Sequence, residues 1–122
     1  MTKKTIMVVD DEPLTVKVVK DLFESEGYKV ITASGGKEAI KILKKSKVDL
    51  ILLDIMMPGM DGWDVCEKIK ADKNTEKIPI IFLTAKDDTV SKSMGSLASS
   101  DYVTKPFDNK DLIQRVKRII SK

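Results

Sequence analysis

The sequence predicts an α/β domain built as a doubly wound, five-stranded parallel sheet, on three observations. Five short apolar segments rich in Val and Ile recur along the 122 residues. Several are continuous rather than alternating, which is the composition of strands covered on both faces. Helical periods stand between them, and strict βα alternation produces a parallel sheet with right-handed crossovers and helices on both sides.

Each element has its own justification. TIMVV (Thr5 to Val9) is the first strand. Leu14, Val18 and Leu22 repeat at i+4 in the helix that follows, with Pro13 at its first position and Gly27 as its stop. YKVITA (Tyr28 to Ala33) is the second strand; Ser34 caps a helix carrying Ala39, Ile40 and Leu43. LILL (Leu50 to Leu53) is the third strand, and Val65 and Ile69 mark the third helix. IPIIFLT (Ile78 to Thr84) is the fourth strand. Val90, Met94 and Leu97 mark a fourth helix, about Asp88 to Leu97, whose stretch SKSMGSLASS holds Gly95 and five serines. Glycine in a helix interior costs about 1 kcal/mol, so this helix is the weakest. DYVT (Asp101 to Thr104) is the fifth strand. Leu112, Ile113, Val116, Ile119 and Ile120 form the clearest stripe, on a helix capped by Asp108. No linker or low-complexity tract divides the chain, so residues 1–122 are expected to form one domain with no output domain.

Composition removes several classes of function. Charged residues make up 34% of the chain and hydrophobic residues 42%. No apolar run approaches the roughly 18 residues that span a bilayer. The N-terminal MTKKTIMVVDDE has too short an apolar part for a signal peptide, so a cytoplasmic location is expected. Cys66 is the only cysteine, which excludes an internal disulfide and a cysteine metal cluster, and its helical setting points to packing. The absence of histidine removes histidine general-base catalysis, serine–histidine triads and the usual zinc sites. The net charge is +3, with dispersed lysines and only two arginines, Arg115 and Arg118. Such a surface is a solvated face rather than a nucleic-acid footprint, and neither nucleic acid nor membrane is expected as a direct partner.

In open α/β sheets, ligands bind beyond the carboxyl ends of the strands. The first strand there delivers Asp10 and Asp11, followed by Glu12; the third delivers Asp54; the fourth delivers Thr84 and Ala85; the fifth is followed by Lys105 and Pro106. Three carboxylates that close resist ionisation together unless a cation joins them. Oxygen ligands without Cys or His suit a hard divalent ion, above all magnesium. Taken singly, each residue has a plainer reading. Asp10 and Asp11 could cap the helix beginning at Pro13, Lys105 could be a surface lysine, and Thr84 could simply end a strand. Their convergence on adjacent strand ends favours a site.

The motifs VVDDEP (8 to 13), LLDIMMPGMDG (52 to 62), LTA (83 to 85) and DYVTKPF (101 to 107), in this order and at these separations, resemble the response-regulator receiver domains of two-component signalling, the CheY-like family. The resemblance runs from Thr5 to Ile120 and implies a flavodoxin-like (βα)5 fold with strand order 2-1-3-4-5. It implies that Asp54 is the phosphoacceptor. Asp11, Asp54 and the backbone carbonyl of Met56 would bind Mg2+ directly, with Asp10 acting through water and Mn2+ able to replace the ion. Lys105 would pair with the phosphoryl oxygens, Thr84 and Ala85 would donate to them, and Tyr102 would be an aromatic switch. The Lys105–Pro106 bond is expected to be cis. The implied donor is a phosphohistidine of a sensor histidine kinase or a histidine phosphotransfer protein. The output would be a contact between an unidentified protein target and the surface formed by the fourth helix, fifth strand and last helix. The chain itself would be a monomer or a weak, phosphorylation-dependent dimer. It would be a switch rather than an enzyme, assisting its own phosphorylation and its slow dephosphorylation.

Two features depart from the family pattern or tune it. Ala98 stands where the family often has glycine. Met56 and Lys86 occupy the positions that flank the path of the attacking water; neither offers that water a proton acceptor, which implies a long-lived phosphoryl group. Other readings are a receiver fragment of a longer regulator, a Mg2+-dependent phosphatase of the haloacid dehalogenase type, and a nucleotide-binding module. The second usually needs D-x-D on strand one, whereas Asp10 and Asp11 are adjacent; the third lacks a P-loop and a G-x-G-x-x-G motif.

Overall fold

A computed structural model describes residues 3–84 and 101–121, with the side chain of Thr84 left out. Its strands are β1 (Thr5–Val9), β2 (Lys29–Ala33), β3 (Leu50–Asp54), β4 (Ile80–Thr84) and β5 (Asp101–Thr104). Its helices are α1 (Pro13–Ser25), α2 (Gly36–Lys45), α3 (Gly62–Ala71) and α4 (Asn109–Ile120). The expected helix around Asp88 to Leu97, and Ala98, lie outside the described residues.

All four strand pairings are parallel and the order is β2-β1-β3-β4-β5. Every residue of β1 and β3 is buried, as expected of central strands with both faces covered. Alternate residues feed two cores. Met7, Val9, Ile51, Leu53 and Phe82 pack with Ala39 of α2 and with Val65 and Ile69 of α3. Ile6, Val8, Leu50, Leu52 and Leu83 pack with Val19 and Phe23 of α1 and with Leu112 and Val116 of α4. Cys66 is buried in the first of these cores.

Two strands begin later than the sequence reading has them, because backbone groups are used elsewhere. The Tyr28 N–H donates to the Phe23 carbonyl and the Gly27 N–H to that of Glu24, both at 3.1 Å, with Gly27 at φ +93°. That is a Schellman closure of α1, so β2 starts at Lys29. The Ile78 N–H bonds to the Thr75 carbonyl at 3.0 Å and closes a turn, so β4 starts at Ile80.

Two helix readings need correction. Gly35, not Ser34, is the N-cap of α2, and the Ser34 N–H instead donates to the Glu38 carboxylate at 2.7 Å. A Cβ on Gly36 would lie 2.6 Å from Val65 Cγ2, so the start of α2 is set by its close approach to α3. In α1 the buried residues are Val19 and Phe23, while Leu14 is 70% and Val18 42% exposed. Asp108 does cap α4, accepting from the N–H groups of Lys110 and Asp111.

One glycine supports the rim of the sheet directly. Gly62 opens α3 and donates its N–H to the Ile55 carbonyl at 2.9 Å. A Cβ there would stand 2.6 Å from the Asp54 carbonyl oxygen and 2.7 Å from Ile55 Cα, both backbone atoms that cannot swing aside. Gly62→Ala is therefore expected to lower unfolding stability by about 1–3 kcal/mol, the usual range for overpacking. Urea unfolding checks this; an unchanged midpoint would contradict the tight fit.

Candidate functional site

The carboxyl ends of β1 and β3 lie level, since Val9 is in register with Leu53. Asp10 and Asp54 are the next residues on each strand, so their side chains meet at the rim. Asp10 is fully buried and Asp54 is 5% exposed, whereas Asp11 is exposed. One oxygen from each of Asp10, Asp11 and Asp54 lies within 4.8 Å of the others. Lys105, beyond β5, reaches across the rim. Its Nζ donates to Asp10 Oδ2 at 2.8 Å and stands 3.6 Å from Asp54 Oδ1.

The Asp10 and Asp11 side chains do not cap α1. Asp10 Oδ1 accepts from the Glu12 N–H at 3.0 Å, and the Asp11 side chain has no partner among the described residues. Glu12 is the N-cap residue; its carboxylate accepts from the Thr15 hydroxyl and makes no cap to a backbone N–H. The capping role of the acidic pair therefore fails. Among the described residues Lys105 is the one ammonium paired with these three carboxylates.

That imbalance appears in the protonation of Asp54. Burial and the neighbouring Asp10 carboxylate push its carboxyl up to about 6, against the lowering by Lys105 and by the Met56 N–H, which donates to Asp54 Oδ1 at 3.3 Å. Burial also works against the charge on Lys105, but its hydrogen bond to Asp10 and the charges of Asp54, Asp10 and Glu12 outweigh this and hold its pKa above the usual lysine value. A site with net negative charge, carboxylate oxygens close enough to share one ion and no nitrogen or sulfur ligand suits a hard divalent cation.

The other residues singled out from the sequence fall as follows. Met56 is 64% exposed beside the site and belongs to neither core. Thr84 ends β4 in register with Thr104. Ala85 and Lys86 lie outside the described residues. Tyr102 is half-buried against the core under α2 and α3. The Lys105–Pro106 peptide bond is cis.

One feature was not foreseen. Leu14, Val18, Pro106 and Phe107, with Glu12 and Lys105, line an open groove of about 530 Å³ against the site. Leu14 and Val18 fit a helical period, which hides the fact that they face outward. The adjacent Val19–Phe23 pair, also at i+4, was the available signal for the buried face.

Comparison with known proteins gives a consistent result. The family model described as the response regulator receiver domain matches residues 6–117. The chain is 45% identical over 118 residues to the alkaline phosphatase synthesis transcriptional regulatory protein PhoP of Bacillus subtilis, covering 96% of this chain and 48% of that protein. The chain thus spans about half the length of the curated relatives it matches. Among solved structures, a putative response regulator from Chloroflexus aurantiacus is similar with a TM-score of 0.94 at 32% identity, covering 99% of this chain and 100% of that one. The response regulator TrrA of Thermotoga maritima, solved in complex with Mg2+-BeF, is similar with a TM-score of 0.85 at 38% identity, covering 95% and 98%.

Proposed function

Since the chain belongs to the response regulator receiver family, whose members are signalling switches, we propose that it accepts a phosphoryl group on Asp54 and passes the signal on by protein contact. The observation that carries this reading is the buried Asp54 carboxylate, crowded by Asp10 and Asp11 and facing Lys105 at 3.6 Å. Asp11, Asp54 and the Met56 carbonyl would hold Mg2+ directly, and Asp10 through water; Mn2+ has the same ligand preferences. Bound there, the ion supplies charge neutralisation for the transferring oxygens, which is most of what phosphoryl transfer requires.

In the transfer, an Asp54 oxygen forms a bond to phosphorus as the bond to the donor breaks. With a phosphohistidine donor, the imidazole nitrogen leaves. Lys105 exchanges its contact with Asp10 for one with the phosphoryl oxygens. Thr84 and the Ala85 N–H donate to the same oxygens, and Tyr102 follows Thr84 inward. The phosphoryl group shifts the population of two states only by its differential affinity for them. The output would run through the helix expected about Asp88 to Leu97 together with β5 and α4.

The groove beside Lys105 supports a protein donor, a histidine kinase or phosphotransfer protein. Exposed apolar side chains next to a charged site fit a docked helix face. An unidentified protein target, a cytoplasmic location and a monomer or weak phosphorylation-dependent dimer belong to the same reading. No described helix is long and apolar enough to cross a membrane.

Incubation with acetyl phosphate and Mg2+ is expected to add one phosphoryl group per chain, mapped by mass spectrometry to Asp54 and lost when the metal is chelated beforehand. Label at another residue, equal labelling without metal, or multiple turnover on an organic phosphate would each oppose the assignment.

A further inference from the structure

We propose that Met56 is a peroxide-reactive modification site whose oxidation shortens the life of the phosphoryl group; this rests on the phosphoacceptor reading of Asp54. Met56 differs from the other described methionines. It is 64% exposed, whereas Met7 is fully buried, Met57 is 7% exposed and Met60 is packed against Gly36 of α2. Its backbone is tied to the site by the N–H donated to Asp54 Oδ1 at 3.3 Å. The residue thus places a solvent-facing thioether within one side-chain length of the group on Asp54.

The chemistry is a two-electron oxidation. A lone pair of the Met56 sulfur attacks one oxygen of hydrogen peroxide; the S–O bond forms as the O–O bond breaks, and the departing hydroxide takes the proton of the sulfur-bound hydroxyl and leaves as water. Sulfur is oxidised to the sulfoxide and peroxide is reduced, and methionine sulfoxide reductases reverse the step. The thioether is a weak acceptor, while the sulfoxide oxygen is a strong one. Oxidation therefore turns a weak acceptor beside Asp54 into a strong one, able to hold the water that attacks phosphorus. Cys66 does not compete, because it is buried and burial pushes its thiol up.

The test compares the full chain before and after mild hydrogen peroxide treatment, with sulfoxide mapped by mass spectrometry. Both samples are phosphorylated with acetyl phosphate and Mg2+, freed of donor, and followed for loss of the phosphoryl group. Sulfoxide is expected on Met56 ahead of Met7, Met57 and Met60, and decay should quicken about three- to tenfold, a small part of the roughly 10²–10⁴ a positioned proton acceptor contributes. In Met56→Leu, peroxide should leave decay as it was in that variant before treatment. A peroxide effect of equal size in Met56→Leu would overturn the proposal, as would unmodified Met56 or decay that does not quicken. The combined variant Met56→Asn, Lys86→Glu separates the layers. If it decays faster and the oxidised chain does not, only the oxidation proposal falls. If neither quickens, the lifetime reading of Met56 falls with it, while mapping of the label to Asp54 stands independently.

Discussion

Asp54→Ala is expected to abolish labelling by acetyl phosphate. Two other carboxylates stand nearby, yet neither can replace it. Asp10 is fully buried and tied to Lys105 at 2.8 Å and to the Glu12 N–H at 3.0 Å. Asp11 is exposed and forms no ion pair with Lys105. A misplacement of about 1 Å costs on the order of 10²-fold, so the expected fall is at least about a hundredfold. Labelling is read by mass spectrometry, and circular dichroism shows that the variant is folded. Labelling of Asp54→Ala at the wild-type rate would remove Asp54 from its role.

Asp54→Asn is expected to stabilise the metal-free protein at neutral pH and to weaken its response to Mg2+. The sign follows from the raised carboxyl, up to about 6 in the fold against 3.8 for an ordinary aspartate. The native state holds this proton more tightly than the unfolded chain. Near pH 4 and below, Asp54 therefore costs nothing; as pH rises through 6 the charge is forced on, and stability is lost. A shift of about two units corresponds at most to about 3 kcal/mol, and coupling to Asp10 and Lys105 makes about 1–3 kcal/mol the expected gain in Asp54→Asn above pH 6. The gain disappears toward pH 4. Saturating Mg2+ narrows or reverses the gap, because an ion that binds the native wild type more tightly than the variant adds up to about 2.7 kcal/mol at a hundred times its dissociation constant. Thermal melts across pH with and without Mg2+ check this, and a wild type more stable than Asp54→Asn in metal-free buffer at pH 7 would contradict it.

The readings that held are those in which chemistry is set locally. Thr5–Val9 and Asp101–Thr104 are strands with the bounds read from their apolar runs. Asp108 caps α4 because a short carboxylate before a helical stripe satisfies free N–H groups wherever it occurs. The approach of Asp10, Asp11 and Asp54 follows from strand ends in a parallel sheet. The readings that failed depend on contacts between elements. Ser34 has capping chemistry, but Gly36 must begin α2 where Val65 and Met60 come close. Leu14 and Val18 match a helical period as well as Val19 and Phe23 do, and only the docking of α1 on the sheet decides which pair is buried. Asp10 as the nearest partner of Lys105 was likewise hidden, since nothing local ranks two carboxylates on neighbouring strands by distance.

The ion pair between Lys105 and Asp10 joins residues 95 positions apart. On a ribosome, Asp10, Asp11 and Asp54 are all made long before the lysine that opposes their charge. Parallel pairing delays the site further, because each strand must wait for a partner beyond an intervening helix, and such high contact order slows folding. A nascent chain ending short of Lys105 carries the acidic cluster without its ammonium. The ion pair across the rim is therefore among the last contacts of the molecule that can form, and a chain ended before Lys105 lacks it altogether.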